Sequence, residues 1–166
     1  MRVRHAAPAL LAGLAVTASA VAAPARPGAA RITGAGVDGV KVGASYTSLR
    51  LAHKIGKATR GCELAGPQAR AAKLLAPLKG SVDLTITKPR KVDTITVTGG
   101  ARAKGVGVGS SLTAVKAAFR HVRVRHVLGI TVARVPKADG GSFELSLGTA
   151  GKRVDSIGIP HLAFCE

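Results

Sequence analysis

The chain repeats itself, and that restricts its architecture more than any local propensity does. Gly39-Val-Lys-Val-Gly-Ala-Ser-Tyr-Thr-Ser-Leu-Arg50 returns 66 residues later as Gly105-Val-Gly-Val-Gly-Ser-Ser-Leu-Thr-Ala-Val-Lys116. Gly80-Ser-Val-Asp-Leu-Thr-Ile is answered by Gly141-Ser-Phe-Glu-Leu-Ser-Leu, and Lys91-Val-Asp-Thr-Ile by Arg153-Val-Asp-Ser-Ile. One structural unit is used twice. The expected organisation is an export signal (1–22), a flexible tether (23–31), repeat unit 1 (32–98), a linker (99–104) and repeat unit 2 (105–166). Each unit alone is of a size at which a single core is marginal, so the two are expected to pack as one body.

Each unit carries the same signals in the same order. A short apolar segment (Val40 and Val42; Val106 and Val108) meets Gly43 or Gly109, and Ser45 or Ser111 then stands where a hydroxyl can cap a helix. The helical spacing predicts that Tyr46, Leu49 and His53 face inward in unit 1, and Leu112, Val115 and Phe119 in unit 2. Alternation of Val82, Leu84 and Ile86 with Asp83, Thr85 and Thr87 predicts a strand, as does Phe143-x-Leu145-x-Leu147. The turns Lys88–Lys91 and Gly148–Gly151 lead into second strands ending near Val97 and Ile159. Residues 67–76, rich in Ala with Pro67 in the first turn, predict a second helix. Their counterpart, 122–135, reads as strand. The predicted class is α+β: two tandem repeats, each an N-terminal helix packed on a small antiparallel sheet.

The ends and the charge set the expected setting. Arg2, Arg4 and His5 precede an apolar run, and Ala20-Val21-Ala22 fits a signal-peptidase site. The run falls short of the roughly 20 residues of a membrane-spanning helix. The chain is therefore expected to be secreted, possessing no transmembrane segment once processed. In an oxidising compartment Cys62 and Cys165 are expected to pair, closing a loop of 103 residues. The chain-entropy model assigns such a loop about 4–5 kcal/mol. Lys and Arg total 25 against 8 Asp and Glu; without Arg2 and Arg4 the balance is +15. Such a field favours polyanions at the cell surface.

A helix opened by Gly43-Ala-Ser45 with Leu49, an antiparallel sheet, then Gly109-Ser-Ser111 with Val115 and the sheet again resembles the tandem β-lactamase-inhibitor-protein-like fold of bacterial secreted proteins. Cys62 just beyond the first helix adds to the likeness, and the single unit resembles the SmpA/BamE domains of bacterial envelope proteins. The resemblance implies a protein-binding module. Two departures separate this chain from the inhibitors: the acidic residue early in each helix is missing, and four aromatics (Tyr46, Phe119, Phe143, Phe164) do not make an aromatic-rich sheet. β-Lactamase inhibition is accordingly not implied.

Candidate chemistry is sparse. Gly105-Val-Gly-Val-Gly109 has Ser110 where a dinucleotide loop needs its third glycine, and no P-loop Gly-Lys-Ser/Thr follows. His53, His121, His126 and His161 form no metal-ligand pattern. Asp93 and Asp155 are repeat equivalents, each at the same point of its own unit beside Lys91 or Arg153, where a local turn or ion-pair role suffices; paired catalytic acids must instead flank one bond. No nucleophile elbow is present. No catalytic, cofactor or metal residues are therefore predicted. Arg50, Lys54 and Lys57 are read as one basic helix stripe, and Lys116, Arg120 and Arg123 as its equivalent, both candidate anion-binding faces. Stacking platforms for single-stranded nucleic acid need aromatics, so sequence-specific nucleic-acid binding is not expected. The function expected is a secreted non-enzymatic binding module for another protein. Electrostatic association with a cell-wall or other extracellular polyanion is the alternative; a cell-wall-acting enzyme has no residue set behind it. Non-reducing peptide mapping of the exported protein is expected to recover a peptide joining Cys62 to Cys165, and two freely alkylated thiols would refute the pairing.

Overall fold

The computed structural model describes residues 29–148 and 150–164. The segment expected to be an export signal, the first part of the expected tether and Cys165 fall outside the described residues. Twelve strands are described: β1 (Ala30–Thr33), β2 (Gly36–Val37), β3 (Val40–Lys41), β4 (Ile55–Arg60), β5 (Arg70–Leu74), β6 (Lys79–Leu84), β7 (Val92–Gly99), β8 (Ala101–Arg102), β9 (Arg123–Val127), β10 (Ile130–Ala138), β11 (Gly141–Ser146) and β12 (Ser156–Ile159). Helix α1 (Tyr46–Leu51) precedes β4, and α2 (Leu112–Ala118) precedes β9.

Strands β4 to β7 form one antiparallel meander and β9 to β12 another, and they join edge to edge in the order β4-β5-β6-β7-β12-β11-β10-β9. The joint is made by the last strand of each meander. Ile157 faces Val97 and Ile159 faces Ile95. Since the repeat makes Ile95 equivalent to Ile157 and Val97 to Ile159, the pairing is isologous: each strand offers the other the same residues. All four side chains are buried. They lie in a single core that takes in Val40, Leu49 and Ile55 from the first half and Val106, Val115 and Phe119 from the second.

One face of the sheet is covered by the two helices and by a small sheet of order β3-β2-β1-β8. The cover is built from matching local devices. Asp38-Gly39 and Lys104-Gly105 both have positive φ (45° and 82°; 48° and 81°), the conformation of a tight two-residue turn. Val37 pairs with Val40 across the first, and Ala103 with Val106 across the second. Gly43 N–H donates to Val92 O, and Gly109 N–H to Val154 O, each at 2.7 Å. Ser45 caps α1 by accepting from Ser48 N–H, and Ser111 caps α2 by accepting from Ala114 N–H. The Tyr46 hydroxyl accepts from Ala58 N–H at 2.9 Å, tying α1 to β4. Phe119 meets Phe143 edge-on, with ring centres 5.4 Å apart.

These observations overturn the predicted α+β class. The chain is mostly β, and one continuous eight-stranded sheet replaces two small ones. The helices span only 6 and 7 residues. Helix α1 stops at the cap residue Ala52, and His53 follows with φ 52°, a left-handed cap conformation. His53 is exposed rather than inward-facing. The helix predicted at 67–76 is instead a turn leading into β5. Alanines favour helix, yet Ala72 and Leu74 alternate inward with Lys73 outward between β4 and β6, and ladder pairing on both sides outweighs the propensity. Ala30 and Arg31, read as tether, are strand, as are Ala101 and Arg102, read as linker; they pair in parallel.

The joint between the meanders is expected to control stability. Ile157→Ala should lower the unfolding free energy by about 2–5 kcal/mol, measured by urea titration, since it opens a cavity where both halves meet.

Candidate functional site

The outer face of the large sheet carries the features that the fold does not require. β4 and β5 are connected by residues 61–69, whereas their counterparts β9 and β10 are connected only by Leu128-Gly129. The longer connection folds as a turn of 3-10 helix, Glu63–Ala65, and stands up as a wall. After β12 the chain turns back over the outer face. Ser142 donates to Pro160 O, and Leu162 N–H donates to Glu144 Oε2 at 3.2 Å. Gly158 permits this return, because a Cβ there would overlap the backbone of His161 and Leu162. Farther along, Phe164 O lies 3.9 Å from Cys62 Sγ, so the returning segment ends against the 61–69 wall.

Between the wall, the returning segment and the surface of β6 and β7 lies a cleft of about 540 Å³. Leu64 and Ile86 line it while 74% and 55% exposed, and Phe164 closes its apolar side. Asp83, Asp93 and Thr94 form its polar floor; Arg70 also lines it, its guanidinium bonded to Pro67 O and Ala69 O. A β-bulge creates that floor. Asp83 pairs with Thr94 and Leu84 with Val92, leaving Asp93 as the extra residue, turned to the same side as Asp83. The Thr94 hydroxyl donates to Asp83 Oδ2 at 2.9 Å.

The acids are unevenly engaged. Asp38 pairs with Lys54, Glu63 with Arg60, Asp139 with Arg31 and Glu144 with Arg125. Asp83, Asp93 and Asp155 have no ion pair among the described residues. Two of these three lie in the cleft of a chain with only eight acids. Asp155 is separate: it accepts from the Ser156 hydroxyl at 3.1 Å at the end of the other meander. The repeat-equivalent carboxylates Asp93 and Asp155 are thus not brought together; Asp93 is placed with Asp83 instead.

The two predicted basic stripes are dispersed. Arg50 lies on α1, Lys54 in the following turn and Lys57 on β4; Lys116 lies on α2, Arg120 beyond it and Arg123 on β9. Helices this short cannot carry a stripe over so many residues. Lys54 is moreover neutralised by Asp38 at 3.0 Å. A different basic grouping exists, which the sequence reading missed. Arg123 pairs directly with Arg134, and Arg125 binds Glu144 two residues along β9. The alternation Val122-Arg-Val-Arg125 and the turn at Leu128-Gly129 together were the signal that could have placed them.

No protein-family model, curated protein or solved structure matches this chain. The seating of the returning segment is directly testable. Gly158→Ala is expected to lift residues 160–164, seen as faster hydrogen exchange at the Leu162 amide and a stability loss of about 1–3 kcal/mol. Unchanged protection would mean that Gly158 does not govern the seat.

Proposed function

We propose that this chain is an exported, non-enzymatic binding module whose partner is another protein. The observation that carries the reading is the cleft, with exposed Leu64 and Ile86 beside the carboxylates of Asp83 and Asp93. Large apolar side chains left in water beside a concave polar floor are what a docking segment can cover and desolvate. The complementary segment is apolar with one basic side chain, able to reach both carboxylates. The resemblance to envelope protein-binding modules points the same way.

On this reading the Cys62–Cys165 disulfide is part of the site. Such a bond would tie the chain beyond Phe164 to the 61–69 wall and so limit the width of the cleft. Export suits such a bond.

Affinity capture from culture medium tests the proposal. The native protein is expected to retain defined proteins at high salt, and Leu64→Ser with Ile86→Ser to lose them while folding normally. Heterogeneous material that salt removes, or the same proteins on the double variant, would refute it.

A further inference from the structure

The arginines at the far end of the outer face point to a second site, separate in place from the cleft. Arg123 on β9 and Arg134 on β10 are directly opposite, and like charges so placed repel. Arg134 is in turn opposite Glu144 on β11. That carboxylate is 2% exposed, and both its oxygens are engaged: Oε1 by Arg125 at 2.8 Å, Oε2 by Leu162 N–H. Arg125 alone bonds that carboxylate; Arg134 is its neighbour across the ladder and Arg123 lies one strand farther out. Neither Arg123 nor Arg134 has an ion-pair partner among the described residues, and both are exposed.

The sister meander shows that the fold does not need them. Asp83 corresponds to Glu144 in the repeat, and the row across it reads Thr59, Ala71, Asp83. The matching row in the second meander reads Arg123, Arg134, Glu144. In this register the first half places Thr59 and Ala71 where the second places two facing arginines; β4 and β5 have a facing pair one position along, Arg60 and Arg70, but there Arg60 is paired with Glu63 and Arg70 donates to Pro67 O and Ala69 O.

We propose that Arg123 and Arg134, with Arg125 beside them, bind the phosphate groups of an extracellular anionic polymer. Both oxygens of Glu144 are already engaged, Oε1 by one bond from Arg125 and Oε2 by a backbone amide, and the carboxylate is buried, so it does not neutralise the outer arginines. A tetrahedral phosphate has oxygens enough to bridge two facing forks. With one Tyr, three Phe and no Trp in the chain, the surface lacks a platform for stacked bases, so the polymer is recognised through its backbone.

Fluorescently labelled inorganic polyphosphate is the probe, read by anisotropy over a range of salt. The test variant carries the sister residues, Arg123→Thr with Arg134→Ala; the control removes equal charge from the helices, Arg50→Thr with Lys116→Ala. The site variant is expected to bind about tenfold more weakly or worse, and the slope of log K against log salt to flatten by about 1.5. The control is expected to change affinity less than about twofold. The site variant should have a urea midpoint no lower than the native protein, because a repulsion has been removed. Equal losses in both variants would reduce the effect to bulk charge and overturn the proposal. So would a lowered midpoint, polyglutamate competing as well as polyphosphate, or single-stranded DNA binding more tightly at equal charge.

Discussion

The pairing of β7 with β12 is the constraint on which the molecule depends. Each meander ends in the strand that joins it to the other, so neither has a closed core without its sister. The pairing is self-complementary, which is how one small unit, used twice, can build a sheet of eight strands with a single hydrophobic core. It also decides where everything else goes. The first strands, β4 and β9, become the two edges, both helices and the small sheet gather on one face, and the other face is left open. Because β12 lies at the centre, the chain leaving it must pass over that open face, and Gly158 provides the clearance.

The larger departures from the shared pattern fall on the open face. The connection between the first two strands of a meander is two residues in one half and 61–69 in the other. The bulge that turns out Asp93 belongs to β6 and β7; the row of Arg123, Arg134 and Glu144 belongs to β9, β10 and β11. The covered face differs far less. There the repeat preserves the turns at Gly39 and Gly105, the serine caps and the bonds from Gly43 and Gly109. Packing limits what can change on the covered side, and solvent permits change on the open one.

That division explains what could be read from the sequence. Serine at a helix cap is a local requirement, so Ser45 and Ser111 were legible. So were the strands through Val82-Leu84 and Phe143-Leu145, whose alternation is itself the sheet geometry. The fold class was not legible, because it rests on how far the helices extend and on how two sheets join. An alanine-rich run such as 69–72 carries helix propensity whatever its neighbours, and only the strands on either side decide against it. The basic stripes failed for the same reason: extrapolating a 3.6-residue period beyond Leu51 and Ala118 placed Lys54, Lys57, Arg120 and Arg123 on helices that had already ended. Arg134 could not be matched with Arg123 until the hairpin register was known. The cleft needed a bulge, a long connection and a returning segment at once, none of which leaves a sequence motif.

The cleft and the arginine site share one face and have opposite charge. From β7 to β10 is three strand spacings, about 14 Å. The Debye length at physiological salt is about 8 Å, so the field of one site is largely screened at the other. A connection through matter remains. The segment after β12 bonds through Leu162 N–H to Glu144, the carboxylate that holds Arg125, and two residues later Phe164 lines the cleft. A phosphate drawing Arg125 toward itself would loosen Glu144 and, with it, the anchor of the cleft wall. The two sites are therefore joined through the three residues of backbone from Leu162 to Phe164, and a mechanical influence of one on the other passes through the seat of Leu162.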